Sequence, residues 1–173
     1  MEALVEFGKI ILPAGAVLYG VFLIVRAFIN KELDNKLLEL KMKNTELVLP
    51  IRLQAYERIC LFLERISLNN LIVRVSEVGQ SARELQHILL REIRDEYNHN
   101  LSQQVYVSDE SWNLAKNAME EIVMTINECA GELNEEAKGL DLARLTLERS
   151  LQRETQAIDF ALQHIKDEIR TIY

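Results

Sequence analysis

Apolar residues follow three different rhythms along this chain. From Ile10 to Val25 they form an unbroken run, IILPAGAVLYGVFLIV, sixteen uncharged residues between Lys9 and Arg26. From Asn30 to Thr45 they thin to a narrow stripe of Leu33, Leu37 and Leu40 on a segment otherwise dense in charge. Beyond Pro50 they recur at three- and four-residue spacing, as amphipathic helices require. Ile51, Ala55, Ile59, Phe62, Leu63 and Ile66 make the first such stripe. Ala82, Leu85, Leu89, Ile93 and Tyr97 make the second, and a third runs from Trp112 through Ala115, Met119, Ile122 and Ile126 to Leu133. The fourth carries Leu147, Leu151, Ile158, Ala161, Ile165 and Ile169.

The unbroken run predicts a single transmembrane helix. A crossing takes about 20 helical residues. Lys9 and Arg26 extend the run by reaching toward opposite headgroup layers, and Ala27, Phe28 and Ile29 continue its apolar character. Glu2 and Glu6 oppose a signal-peptide reading. A buried hairpin helix is the alternative. One basic residue, Lys9, precedes the run, whereas Arg26, Lys31, Lys36, Lys41 and Lys43 follow it. That asymmetry predicts an outside amino terminus and a cytoplasmic carboxy-terminal domain at the inner (cytoplasmic) membrane, with the lipid bilayer as a partner. Cys60 and Cys129 then sit in a reducing compartment as free thiols.

The expected fold is all-α: an N-terminal single transmembrane helix over residues 1–29, a helical neck over 30–49, and an antiparallel cytoplasmic helical bundle over 50–173. Pro50 disfavours helix in the residue before it and predicts a break between neck and bundle. The bundle segments fall near 50–66, 80–104, 109–137 and 140–172, with Ser108 as an N-cap and Gly139 as a terminator. Residues 71–78 read equally as a helical turn or an extended tether. The stripe of Leu33, Leu37 and Leu40 suits a dimeric or trimeric neck, so a homo-oligomer is expected.

Charge and motif content narrow the chemistry. Residues 50–173 hold 14 Lys and Arg against 21 Asp and Glu, a balance that repels a phosphate backbone and excludes nucleic acid as a partner. Phosphate loops, nucleophile elbows and the H-E-x-x-H pattern are absent. The one metal-like signal is Glu-x-x-His, which occurs at Glu84–His87 and Glu96–His99. In carboxylate bundles such pairs lie on two helices, whereas here both lie on one. A metal-dependent enzyme built on Glu96 and His99, with Glu57, Glu64 or Glu121 from neighbouring helices, is therefore the alternative to a non-catalytic protein with no cofactor. Arg52, Tyr56 and Arg58, together with Tyr97, Asn98 and His99, carry the residue types of a contact surface.

The words LPIRLQAYER at Leu49–Arg58, FLERI at Phe62–Ile66 and EYNHN at Glu96–Asn100, combined with an amino-terminal apolar span, resemble small membrane-anchored helical proteins of Bacteroidota. The resemblance implies an inner-membrane location and supplies no catalytic residue. The function expected is that of a membrane-tethered structural or adaptor protein, a subunit of an inner-membrane assembly whose partners are other membrane-protein subunits.

Overall fold

The computed structural model describes the backbone of residues 2–172 and the side chains of residues 15–151 and 157–171. Five α-helices follow one another: α1 (Glu2–Ile66), α2 (Leu68–Val75), α3 (Ala82–Asn100), α4 (Asp109–Glu132) and α5 (Gly139–Ile172). A short 3-10 helix, Leu101–Val105, lies between α3 and α4. Among the described residues there is no sheet, and an isolated bridge pairs Ser81 with Lys138. The fold is all-α. It divides into two compact units, Met1–Leu49 and Pro50–Tyr173.

The first unit is the arm of α1. Its described side chains are exposed, apart from Gly20 and Leu49, which are half-buried. Local bonds support it: the Lys43 ammonium donates to Glu39 at 2.8 Å, and the Thr45 hydroxyl donates to the Lys41 carbonyl at 3.0 Å. Contrary to the expected break, α1 runs unbroken through Pro50. Proline fixes φ inside the helical range, so what it removes is its own N–H and one rung of the ladder.

The membrane assignment is corrected. Among the described residues no helix is long and apolar enough to cross a membrane. Lys9, Pro13 and the start of the apolar run, Ile10 to Ala14, have side chains outside the described residues. The described remainder is interrupted by Arg26 and gives way directly to Asn30, Lys31 and Glu32, so the apolar character falls short of bilayer length. This finding overturns the transmembrane helix, the single-pass inner-membrane topology, the lipid bilayer as a partner and the membrane-tethered adaptor role within an inner-membrane assembly.

The second unit has one hydrophobic core. Ala55, Tyr56, Ile59, Phe62, Leu63 and Ile66 of α1 are buried, whereas Ile51 at the head of the expected stripe is 46% exposed. Leu85, Leu89 and Ile93 of α3 meet Ile122 and Ile126 of α4 and Leu142, Ala161 and Ile165 of α5 in the same cluster. The α4 and α5 helices pack along each other, and α3 packs against both. Of the segment 71–78 that reads as helix or tether, residues 71–75 are helical in α2, which buries Leu68, Leu71 and Ile72, whereas Ser76 is extended and closes the helix. On α5 the expected phase is shifted in its first half. Thr146 and Ser150 are buried while Leu151 is 78% exposed.

Local chemistry sets the helix starts. Ser81 and Glu84 form a reciprocal capping box on α3, in which the Ser81 hydroxyl accepts from the Glu84 N–H and the Glu84 carboxylate accepts from the Ser81 N–H. Ser108 caps α4 by accepting the Ser111 N–H at 3.1 Å. Gly139 opens α5 instead of ending α4, which stops at Glu132. Its N–H donates to the Gln80 carbonyl at 2.8 Å, and a Cβ there would lie 3.2 Å from that oxygen. Glycine suits this position because two connections approach closely, not because a helix ends.

A polar network ties α1, α4 and α5 together. The Tyr56 hydroxyl donates to Glu168 Oε1 at 2.6 Å, the Ser108 hydroxyl donates to Oε2 at 2.8 Å, and the Ser111 hydroxyl donates to the same oxygen. Arg52 braces the network from outside, donating to the Tyr56 hydroxyl at 3.4 Å and to the Tyr106 carbonyl at 3.1 Å. Desolvation pushes the Glu168 carboxyl up, but the three hydroxyl donors and the nearby His164 outweigh it and hold the group below the usual range. Burial, followed by the bond to Glu168, pushes the Tyr56 phenol up. A depressed folded value means that Glu168 stabilises the fold above its unfolded pKa of about 4.3, and that this contribution is lost as pH falls through the folded value. The Glu168→Gln variant should lose about 2 kcal/mol at pH 7, because charge-assisted bonds become neutral ones. In urea unfolding followed by circular dichroism the deficit should shrink as pH drops below about 4. A deficit of the same size at every pH would rule out an ionised Glu168 as its source.

Candidate functional site

A concavity of about 720 Å³ lies between α1 and α3 in the second unit. Gln54, Arg58, Leu61 and Arg65 line it from α1 at three- and four-residue steps, so one helical face supplies that wall. Glu92, Asp95, Glu96 and His99 supply the facing wall from α3 by the same periodicity. Buried Phe62 belongs to its lining and is held from behind by an aromatic row. Its ring lies 6.2 Å from Tyr97, which lies 5.7 Å from Trp112.

Arg65 crosses the groove and donates from Nε to Glu96 Oε1 at 2.6 Å. Asn100 Nδ2 donates to the Glu96 carbonyl at 2.8 Å, which fixes the end of α3 beside the groove. Glu92 faces Arg74 at 3.6 Å. The lining therefore mixes acids with Arg58, Arg65 and His99 over an apolar floor, a surface suited to a polar polypeptide segment more than to a small apolar ligand.

The metal alternative is corrected. Among the described residues no group of three or more His, Cys, Asp or Glu could hold a metal ion. Glu96 is engaged by Arg65, while Glu57 and His99 line the groove as exposed side chains. Glu64 lines a different depression with Ser67 and Asn70, and Glu121 on α4 does not line the groove. The other Glu-x-x-His pair is a capping device. Glu84 is held below the usual carboxylate range by the Ser81 N–H and hydroxyl, and His87 is exposed.

The six contact residues named from sequence separate into two groups. Tyr56 is fully buried on Glu168, Arg52 is half-buried against it, and Tyr97 is packed between Phe62 and Trp112, so these three build the framework. Arg58, Asn98 and His99 are exposed, and Arg58 and His99 line the groove. Neither cysteine is an activated nucleophile. Burial pushes both the Cys60 and the Cys129 thiol up.

Sequence reasoning missed a second concavity of about 550 Å³ between α2 and α5, lined by Ile72, Val73, Leu140, Ala143, Leu147 and Leu151 among others. Its signal was a surplus of leucines in the first half of α5, more than one core face needs.

Packing, not the ion pair, shapes the groove. Arg65→Met should cost less than about 1 kcal/mol, since Arg65 is largely exposed and such pairs are screened. Phe62→Ala should cost about 3–5 kcal/mol through the cavity it leaves. Urea unfolding at pH 7 measures both, and equal costs would show that the bridge carries the site.

The profile of a family of unknown function (DUF7935) matches residues 2–172. This match, with the lack of a membrane-crossing helix among the described residues, replaces the resemblance to membrane-anchored Bacteroidota proteins. No curated protein and no solved structure matches the chain.

Proposed function

The chain belongs to that family of unknown function, and from the two units described above we propose that it is a self-associating, non-catalytic helical interaction protein. Copies are joined through the arm, and the α1–α3 groove receives a polypeptide segment. The observation that carries this reading is the state of the arm: Leu33, Leu37 and Leu40 are 55%, 56% and 59% exposed, with Leu47 at 71%. Isolated helices draw little stability from propensity alone, and most of it comes from packing an apolar face against something. A row of exposed leucines at helical spacing is such a face.

The groove supports the second half of the reading. Arg58 and His99 stand exposed on its two walls, and Asn98 lies beside His99 on α3. None of the three is used by the core, so changing them leaves the fold intact while altering what the groove presents.

Light scattering of the full chain, in nonionic detergent to mask the exposed apolar segment Val17–Ile29, should give a protein mass at least twice 20.0 kDa. Changing Leu33, Leu37 and Leu40 together to Gln should return it to the monomer mass with the circular dichroism of the bundle retained. A monomer in both cases, or an oligomer unaffected by the change, would reject self-association through this face.

A further inference from the structure

We infer that the arm pairs with a second copy of this chain as a parallel, in-register, two-stranded coiled coil, and that Asn30 and Asn44 select that arrangement. The inference rests on the self-association proposed above and adds to it the number of strands, their direction and their register.

The α1 helix is continuous through the arm, so positions can be followed along it without a break. Leu33, Leu37, Leu40 and Leu47 are separated by four, three and seven residues, which places Leu33, Leu40 and Leu47 at d positions and Leu37 at an a position of one heptad frame. The same frame puts Asn30 and Asn44 at the two a positions on either side of Leu37. The frame weakens toward the amino terminus, where Arg26 occupies the preceding d position. The seam therefore runs from Asn30 to Leu47, and every one of its six positions is exposed in the single chain.

Direction follows from what each asparagine would face. In a parallel in-register pair, Asn30 meets Asn30 of the second copy and Asn44 meets Asn44, so each amide finds both a donor and an acceptor. In an antiparallel pair that keeps the leucine seam, Asn30 faces Leu47 and Asn44 faces Leu33, and four amides are enclosed by leucine without a partner. Each unpartnered polar group costs about 1–3 kcal/mol.

The flanking charges push the other way, but weakly. A parallel pair sets Lys36 beside Lys41 of the second copy, whereas an antiparallel pair sets Asp34 beside Lys41 and Lys36 beside Lys43. These side chains are exposed, and Lys43 is already bonded to Glu39 at 2.8 Å. Exposed pairs are worth about 0.2–1 kcal/mol, so the amides decide. Asparagine at a also disfavours trimers and tetramers, for which an all-leucine seam would be permissive.

The test uses the full chain in nonionic detergent, with mass and orientation read separately. Wild type should have twice the 20.0 kDa mass. The Leu47→Cys variant should form a disulfide-linked dimer on mild oxidation in high yield, beyond the background set by Cys60 and Cys129 in the unsubstituted chain. A parallel pair holds the two residues 47 side by side, whereas the antiparallel pair separates them by about 25 Å along the helix axis. Asn30→Leu combined with Asn44→Leu should broaden the mass distribution above the dimer and lower the Leu47→Cys cross-linking yield at least twofold. A dimer that does not cross-link at position 47 overturns the parallel pairing while leaving self-association in place. A trimer, or an unchanged parallel dimer after both asparagines are replaced, overturns the role given to the asparagines. A monomer overturns this inference together with the reading it rests on.

Discussion

The Glu168 carboxylate is the point at which three helices are fixed to one another. Its two oxygens take the Tyr56 hydroxyl from α1 and the hydroxyls of Ser108 and Ser111 at the start of α4, while Glu168 itself rides on α5. Apolar packing attracts these helices without dictating their azimuth, since leucine and isoleucine accept many partners at similar energy. Hydroxyl groups around a half-buried carboxylate do not: a rotated helix leaves a desolvated charge without its donors. Tyr56 thus fixes the rotation of α1, and with it the phase that turns Arg58 and Arg65 toward α3.

The groove inherits its shape from that constraint. Once α1 is fixed in rotation, Phe62 falls against the row formed with Tyr97 and Trp112, and the polar faces of α1 and α3 are left opposed across an apolar floor. Of the six residues with the types of a contact surface, Arg52, Tyr56 and Tyr97 are consumed in building this framework. Arg58, Asn98 and His99 are left exposed. The arm stands in the opposite situation, with its apolar residues uncovered and no core of its own.

Periodicity and local residue type determined the all-α class, the inward residues of α3 and most of those of α1 and α4, and the N-cap at Ser108, because each follows from neighbours within one or two helical turns. The exposed leucine stripe of the arm was legible for the same reason. Other matters depended on contacts remote in sequence. Gly139 reads locally as a terminator, but it is the first residue of α5, and the close approach of Gln80 to it is visible only in the folded chain. Glu96 and His99 carry a Glu-x-x-His spacing that left a metal site as the alternative, and the pairing of Glu96 with Arg65 from α1 is visible only in the folded chain. Glu168 has no local signal at all, since its partners lie 57 to 112 residues away. The apolar run before Arg26 suggested a crossing by composition, but the described helix lacks the uninterrupted length. The sequence by itself determined where helices form and which side of most of them is apolar, because those properties are local. Tertiary structure decided which polar residues are spent on the fold and which are left to act, because that depends on what the other helices bring within hydrogen-bond distance.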